Sequence, residues 1–330
     1  MINLNIYQRD YINQFIQTRA GETKFGEQIQ IISSINELSN NTAKYVLLGI
    51  PEDIGVLANQ GKAGASKTWD VFLNSFLNIQ ANQFNNPQNV ILLGEIDCKA
   101  WMQKAYSILK SDEAYYKKLG DIVAKIDQSV AEVIEAIVLT GKIPIVIGGG
   151  HNNAYGVIKG CSKAFNKPIH VANIDAHTDL RPMEFRHSGN AFSYAIAEDY
   201  LDRYSIFGLL KNYTSQAIFE KMDANKKIKY HLFEDCLHLT SLDKLVKMKT
   251  SLDFLKGEFG VELDCDVIQN FNSSAITPSG FSLNVMRSFM KLIRKHKIHY
   301  LHICEAAPHK YSLIGKSLSF LVSDFISEND

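Results

Sequence analysis

Acidic and imidazole residues recur in three short segments of the 330-residue chain, each directly after an apolar run. The segments are Gly148-Gly149-Gly150-His151, Asp175-Ala176-His177-Thr178-Asp179 and Asp264-Cys265-Asp266. In an open parallel sheet, ligands bind outside the carboxyl ends of the strands. Residues two apart on an extended chain point the same way, so the acidic and imidazole side chains of each segment are expected to converge. We therefore expect two imidazoles and four carboxylates at one rim of a sheet.

Such a cluster needs positive charge to be stable. Carboxylates gathered in a partly buried site repel one another, and their pKa values would have to rise sharply. Two divalent cations remove this repulsion, and imidazole with carboxylate suits manganese while tolerating iron, cobalt or zinc. Two such ions roughly 3.5–4 Å apart lower the pKa of a water bound between them. Each segment alone is a weak signal, because a DxD string is most often a solvated loop. The three in this order, each after a strand, predict a binuclear metal centre.

Eight apolar runs rich in β-branched residues are predicted to be the strands that carry these segments. They are continuously apolar rather than alternating, as strands buried on both faces of a parallel sheet require. The predicted strands are Tyr45–Ile50, Val90–Gly94, Pro144–Gly148, Ile169–Ile174, Tyr204–Leu209, Ile228–Phe233, Gly260–Asp264 and Ile298–Cys304.

Helix-length amphipathic stretches separate the predicted strands. The clearest is Tyr115–Thr140, with apolar residues at helical spacing and Gly141 placed to end it. Alternation of strands and helices predicts a three-layer α/β/α architecture with right-handed crossovers. No repeat or linker interrupts the sequence, so we predict one domain over residues 1–330.

Composition argues against several classes of function. Lys+Arg and Asp+Glu both number 35, so no surplus of positive charge favours nucleic acid. No apolar run approaches the roughly 18 residues of a membrane-spanning helix. The five cysteines are scattered and form no CxxC pair, so reduced thiols and a cytoplasmic location are expected.

The motifs resemble those of the arginase/agmatinase/formimidoylglutamase family, the ureohydrolases. The matching strings are GIPEDIGV (49–56), GGGH (148–151), NIDAHTD (173–179), ELDCD (262–266) and CEAAP (304–308), which span most of the chain. The resemblance implies an arginase-like α/β/α fold with a central, mostly parallel eight-stranded sheet. It also implies two Mn²⁺ ions per subunit and assembly into trimers or hexamers.

The same resemblance implies roles for individual residues. His151, Asp175, Asp179 and Asp264 would bind one metal. The second metal would be bound by Asp175, His177, Asp264 and Asp266, with Asp175 and Asp264 bridging. The Asp179 carboxylate would also hydrogen-bond the nucleophile. Glu305 would pair with the planar nitrogens of an amidine or guanidine group, as a carboxylate can.

Within the family, the chain is most similar to formimidoylglutamases. Three features carry this likeness: glycine directly before His151, arginine at 181, and the segment Ser188-Gly189-Asn190-Ala191-Phe192. Arg181, Ser188 and Asn190 are therefore candidates for substrate contact. Arg186 is either a second contact to a substrate carboxylate or a solvated loop residue.

A proton-shuttle histidine is expected near this segment in other branches of the family, at the position of Phe192 or of Ser188. Neither residue is histidine here, and the nearest one is His187. His187 is therefore a candidate catalytic residue whose offset from the family position leaves a structural role equally open. The histidines of the predicted strands, His170, His299 and His302, are expected to be packed in the core.

The function predicted from these residues is hydrolysis of N-formimidoyl-L-glutamate to L-glutamate and formamide, a step of histidine breakdown. The alternative within the same chemistry is a guanidino hydrolase of the arginase or agmatinase type, which releases urea. A third possibility is a catalytically silent member that binds metal. A single-zinc deacetylase of the same fold is disfavoured, since the full set of six ligands would then be unnecessary.

Overall fold

All eight predicted strands are present in the computed structural model, which describes residues 3–309 and 313–327. They belong to one sheet that has nine strands in this part of the chain. The strands are β1 Leu4–Ile6, β2 Tyr45–Gly49, β3 Val90–Ile96, β4 Ile143–Ile147, β5 Ile169–Ile174, β6 Leu201–Leu209, β7 Ile228–Leu232, β8 Phe259–Asp264 and β9 Ile298–Cys304.

The ninth strand, β1, is the one that the predicted count of eight missed. It has only three residues and pairs antiparallel with β3, from Leu4 opposite Ile96 to Ile6 opposite Gly94. It lies at the edge of the sheet and is partly exposed. Such a strand lacks the continuous apolar run that marked the other eight, which all pair in parallel.

The order of strands brings the three chemical segments together. The sheet runs β1-β3-β2-β4-β9-β8-β5-β6-β7. The chain passes from β4 across the middle of the sheet to β5, and only later do β8 and β9 fill the gap. The carboxyl ends of β4, β9, β8 and β5 are therefore neighbours at the centre of one rim.

Helices cover both faces of the sheet, which gives the predicted three layers. Side chains of α1, α2, α4, α10, α11 and α12 pack in the core on one face, and those of α3 and α5 to α9 on the other. The helices are α1 Arg9–Asn13, α2 Phe25–Gln28, α3 Ile54–Ala58, α4 Thr68–Phe76, α5 Lys99–Ser107, α6 Tyr115–Val138, α7 Asn153–Phe165, α8 Ala191–Ala197, α9 Gln216–Ala224, α10 Ser241–Asp253, α11 Leu283–Ile293 and α12 Ile314–Ile326.

The long helix predicted over Tyr115–Thr140 is α6. It ends at Val138, and Gly141 follows with a φ of 76°, so glycine does terminate this helix. Its apolar stripe is buried and packs on the sheet together with α7. Among the described residues, no helix combines the length and the hydropathy needed to span a membrane. All five cysteines are buried free thiols, as their scattered spacing predicted.

The pairing of β1 with β3 depends on Gly94, where φ is 138° and an added Cβ would lie 1.9 Å from the carbonyl oxygen of Asn5. An unfavourable φ alone costs about 1–3 kcal/mol. We expect Gly94→Ala to lower the free energy of unfolding by more than this amount, because the added Cβ also clashes with Asn5. Hydrogen exchange in β1 should also accelerate. Gly141→Ala is the matched control, because φ is 76° there and nothing lies within 4 Å of the added Cβ. Equal losses in the two variants by chemical denaturation would contradict this account.

Candidate metal centre

Three of the predicted carboxylate ligands converge around one ring nitrogen of a fourth predicted ligand, His151. His151 follows β4, and its Nδ1 lies 2.8 Å from Asp179 Oδ2, 3.2 Å from Asp264 Oδ2 and 3.3 Å from Asp175 Oδ2. All four side chains are buried. These are the residues expected to bind the first metal, and their donor atoms lie close enough to share one ion.

A second group of donors adjoins the first. His177 Nδ1 lies 3.6 Å from Asp175 Oδ1 and 3.7 Å from Asp266 Oδ2, and Asp264 belongs to this group as well. Asp175 therefore turns one carboxylate oxygen towards each group, while Asp264 is common to both. The two predicted bridging residues thus lie between the two groups.

The acidic segments converge by a local geometry that the alternation argument did not foresee. Strands β5 and β8 end at Ile174 and Asp264, so the segments beyond them are not extended. Instead, Asp175 Oδ1 accepts a hydrogen bond of 2.7 Å from the backbone N–H of His177. Asp264 Oδ1 accepts the equivalent bond, also 2.7 Å, from Asp266. Each aspartate therefore fixes the turn that brings the next ligand into the site.

The glycines before His151 make the turn that the sequence predicted. Gly148 and Gly149 have φ values of 94° and 75°, which glycine adopts without steric cost. The Gly149 carbonyl accepts a hydrogen bond of 3.0 Å from the backbone N–H of Glu305, which joins this turn to the end of β9. Asp179 and Glu305 themselves have φ values of 49° and 61°. Backbone strain of this kind is concentrated at functional sites.

Glu52 and Asn173 support the cluster and were not singled out in the sequence. Fully buried Glu52 accepts hydrogen bonds on Oε1 from the N–H of Gly150 (3.1 Å) and from the side chains of Asn152 (3.1 Å) and Asn153 (2.6 Å). Asn173 donates to Asp175 Oδ2 at 3.0 Å. The sequence signals were the matches of GIPEDIGV and NIDAHTD to the family, which did not specify a role for either residue.

The four carboxylates of the donor groups outnumber the two imidazoles that share the cluster with them. Burial and the neighbouring Asp266 and Asp175 raise the pKa of Asp264 well above its usual value. Burial would lower the pKa of His177, but a hydrogen bond to Asp175 and the surrounding carboxylates raise it to about 10. Two divalent cations would supply the missing positive charge. The donor set of two imidazoles and four carboxylates fits Mn²⁺.

Glu305 lies beside the cluster, and only one of its two carboxylate oxygens accepts a hydrogen bond from the described residues. Its Oε1 accepts a hydrogen bond of 2.6 Å from the backbone N–H of His151, whereas its buried Oε2 has no hydrogen-bond partner among the described residues. Burial and the charge of Asp266 raise its pKa to about 8. A free, buried acceptor at the wall of a cavity suits a planar cationic ligand.

A cavity of 580 Å³ opens over these residues. Arg181 and Ser188, the predicted substrate contacts, line it, and Asn59 connects them. Asn59 accepts a hydrogen bond from the Arg181 guanidinium and donates one of 3.1 Å to Ser188 Oγ. The Tyr213 ring also lines the cavity and stacks on His177 with centroids 5.3 Å apart. Asn59 and Tyr213 carried no motif, and only the fold reveals them at the site.

Ser274 also lines the cavity and was missed in the sequence. Its Oγ lies 3.4 Å from Asp266 Oδ2, and its backbone N–H donates to the Glu305 carbonyl at 3.0 Å. It belongs to the loop after Asp266, which had no recognisable pattern.

Arg186 and Asn190 support the loop instead of lining the cavity. Arg186 is buried, with Nε 2.8 Å from Asp127 and its guanidinium over the rings of Tyr155 and Tyr194. The burial of Arg186 contradicts the solvated alternative, and its geometry does not support the alternative of substrate contact. Asn190 is fully buried. It accepts from Arg186 (2.6 Å) and the N–H of His187 (3.1 Å), and it donates to the carbonyls at 182 and 185. These bonds occupy its side chain, so the geometry does not support the predicted substrate contact.

His187 is likewise outside the group of described residues that line the cavity. Its ring is buried, and Nδ1 accepts a hydrogen bond of 3.1 Å from the backbone N–H of Gly189. Burial, with the charges of Arg181 and Arg186, lowers its pKa to about 4. This geometry is that of a turn-capping residue and does not support the predicted catalytic role.

The strand histidines have different environments. His302 is fully buried and hydrogen-bonded in β9, and His299 is buried against the Phe165 ring at 4.4 Å, as predicted for core residues. His170 is only partly buried, at the start of β5 and 3.4 Å from Asp202.

Comparison with known families is consistent with this geometry. The model of the arginase family matches residues 43–320, which is most of the chain and includes every residue of both donor groups. The chain belongs to the arginase family. Within it, a formimidoylglutamase of Macrococcus caseolyticus is 26% identical over 294 residues, covering 88% of this chain and 85% of that protein. A formimidoylglutamase of Lysinibacillus sphaericus is 26% identical over 302 residues, covering 88% and 86%.

Solved structures share the arginase fold. A Trypanosoma cruzi formiminoglutamase determined with Mn²⁺ superposes with a TM-score of 0.72 at 16% identity, covering 92% of this chain and 97% of that one. The formimidoylglutamase of Bacillus subtilis gives a TM-score of 0.71 at 16% identity, covering 94% and 92%. At this identity the likeness establishes the fold of this arginase-family chain.

If the donor groups of this arginase-family protein bind cations, Mn²⁺ should stabilise the metal-free protein. At 100 times the dissociation constant each site would add about 2.7 kcal/mol to the free energy of unfolding. In Asp266→Asn, the increase in the free energy of unfolding caused by Mn²⁺ should be smaller by at least the contribution of one site. Asp324→Asn is the matched control, since Asp324 is a buried carboxylate paired with Arg287 on another part of the protein. An unchanged gain in Asp266→Asn, measured by chemical denaturation, would exclude Asp266 as a ligand.

The environment of Arg186 makes a separate prediction. Arg186→Lys keeps the charge but loses the forked contact with Asp127, so we expect a loss of stability of about 1–3 kcal/mol. The KM for substrate should stay within twofold, because Arg186 does not line the cavity. Arg203→Lys is the control, since Arg203 donates one hydrogen bond, to the Phe254 carbonyl at 3.2 Å. A raised KM with unchanged stability would restore Arg186 as a substrate contact.

Proposed function

We propose that this chain is a binuclear manganese hydrolase that cleaves N-formimidoyl-L-glutamate to L-glutamate and formamide. The proposal rests on membership of the arginase family, on relatives named formimidoylglutamase, and on the chemistry of the cavity. The two Mn²⁺ ions would be held by the six residues of the donor groups, His151, Asp175, His177, Asp179, Asp264 and Asp266. When bound, they would supply positive charge and an activated water to the reaction.

The walls of the cavity are the observation that favours this substrate. The described residues that line it contain carboxylates only in the donor groups and at Glu305, while the remaining wall carries Arg181 and uncharged polar and apolar residues. Arginine and agmatine have an ammonium group far from the guanidinium, which would need a carboxylate on that wall. N-formimidoyl-L-glutamate has one carboxylate beside the amidine, a second at its far end, and no ammonium. Arg181, steadied by Asn59, is suited to bind a carboxylate.

Residues around the donor groups have separate roles in the proposed reaction. Glu305 uses its free Oε2 to bind the N–H groups of the amidine and hold its planar carbon over the donor groups. Asp179 accepts a hydrogen bond from the attacking water and passes the proton towards the departing amine. Arg181 and Ser188 bind the substrate carboxylates. His187 and Asn190 are assigned to shaping the loop that carries Arg181, since Arg181 N donates to the Gly189 carbonyl at 3.0 Å.

The remaining expectations from the sequence stay part of the proposal. We infer one catalytic domain over residues 1–330, a cytoplasmic location and a homo-oligomeric assembly of three or six subunits. The buried, unpaired thiols are compatible with a reducing compartment. Neither nucleic acid nor a membrane is proposed as a partner.

The decisive assay incubates the Mn²⁺-loaded protein with formimidoylglutamate, arginine, agmatine and guanidinobutyrate, and measures formamide and urea separately. We expect formamide from formimidoylglutamate and no urea. Arg181→Gln should raise KM about 10- to 100-fold, since hydrogen bonds to charged groups contribute about 1.5–3 kcal/mol. Arg19→Gln, at an exposed arginine that lines a different cavity, is the control. Urea from a guanidino compound would indicate the alternative hydrolase, and no product with Mn²⁺ bound would indicate a silent member.

A further inference from the structure

The ring nitrogen of His151 that faces away from the donor groups, Nε2, is buried and has no hydrogen-bond partner among the described residues. Nδ1 is the nitrogen surrounded by Asp175, Asp179 and Asp264. If Nδ1 binds a metal, its lone pair is used and the ring proton must be on Nε2. The carboxylate nearest to Nε2 is that of Glu262, with Oε2 at 3.5 Å.

Glu262 is itself held by two side chains of the neighbouring strand. Tyr300 donates a hydrogen bond of 2.7 Å to Oε1, and His302 Nδ1 lies 2.6 Å from Oε2. Glu262 and His302 are register partners of β8 and β9, and Tyr300 points to the same face two residues earlier. All three side chains are fully buried.

The group of Glu262, Tyr300 and His302 also reaches the glycine turn. His302 pairs in register with Val146 of β4, and its Nε2 lies 3.4 Å from the Gly148 carbonyl. His302 thus contacts the carboxylate that faces the His151 ring and the backbone that carries His151. The position of the His151 imidazole is therefore constrained both at its ring, through Glu262, and at its main chain, through Gly148.

The cost of burying these groups argues that they have a purpose beyond packing. Buried ion pairs are often no more stabilising than apolar residues of the same volume. In known metal sites, a carboxylate that accepts the second N–H of a histidine ligand fixes its tautomer and orientation and raises its basicity.

We propose that Glu262 is a positioning residue that sets the tautomer and orientation of His151 for one metal of the pair, and that His302, which contacts the same Glu262 oxygen, fixes Glu262 in turn. The inference rests on the proposed metal centre, but not on the identity of the substrate. It distinguishes the two metals, because Glu262 contacts a ligand of the first donor group and none of the residues specific to the second.

The test is Mn²⁺ binding to metal-free protein, measured by electron paramagnetic resonance of the unbound ion, alongside the thermal stability of the same samples. Loss of an outer partner typically weakens metal affinity roughly 10- to 100-fold. We expect Glu262→Gln to weaken one of two sites by this factor, with the other changed less than threefold. If Glu262→Gln does not fold, Glu262→Asp takes its place. This variant keeps the charge but moves it away from His151, so it should weaken the same site selectively.

Tyr300→Phe is the matched control, because it removes the contact to Oε1 and leaves the carboxylate facing His151. Its two Mn²⁺ dissociation constants should stay within threefold of those of the wild type. If the folded Glu262 variants lose thermal stability while both dissociation constants stay unchanged, Glu262 is only a packing partner of His302 and the proposal is overturned. A wild-type protein that binds fewer than two Mn²⁺ would instead overturn the proposed metal centre.

Discussion

Repulsion among buried carboxylates is the constraint on which this structure depends. Four aspartates approach one another behind a cavity, and the donor groups of the described chain add two imidazoles to offset their charge. The consequences are visible in the raised pKa of Asp264, caused by burial and its acidic neighbours, and in a pKa of about 10 for His177. A protein keeps such an arrangement when cations balance it, so the charges of the cluster and the proposed metals explain each other.

The backbone around the cluster is shaped to hold these charges in fixed positions. Two aspartates close the turns after their strands with their own carboxylates, which leaves the second oxygen of each directed into the site. Left-handed conformations at Asp179 and Glu305 add local strain. Glu52 offsets some of this cost by accepting hydrogen bonds from the loop that carries His151. A rigid surround of this kind keeps the donor groups from separating when they are not neutralised.

The loop between residues 180 and 192 separates two tasks that the sequence could not tell apart. Arg181 and Ser188 face the cavity and are linked through Asn59. Arg186 and Asn190 face inward, where Asp127 and two tyrosine rings surround the guanidinium. His187 belongs with the inward group, since burial and two adjacent arginines disfavour its charged form. The loop therefore places one arginine at the wall of the cavity and uses the other to hold its own shape.

The sequence by itself determined the chemistry of the site and the class of fold. Eight continuous apolar runs predicted buried parallel strands, and the residues after three of them predicted all six donors, because parallel strands end at a common rim. Only the tertiary structure decided which strands are neighbours: β8 and β9 lie between β4 and β5, which brings Glu305 and Glu262 to the cluster. It also decided which polar residues of the 180–192 loop face inward. Side-chain direction in an irregular loop depends on contacts with distant residues such as Asn59 and Asp127, and no local pattern encodes those contacts.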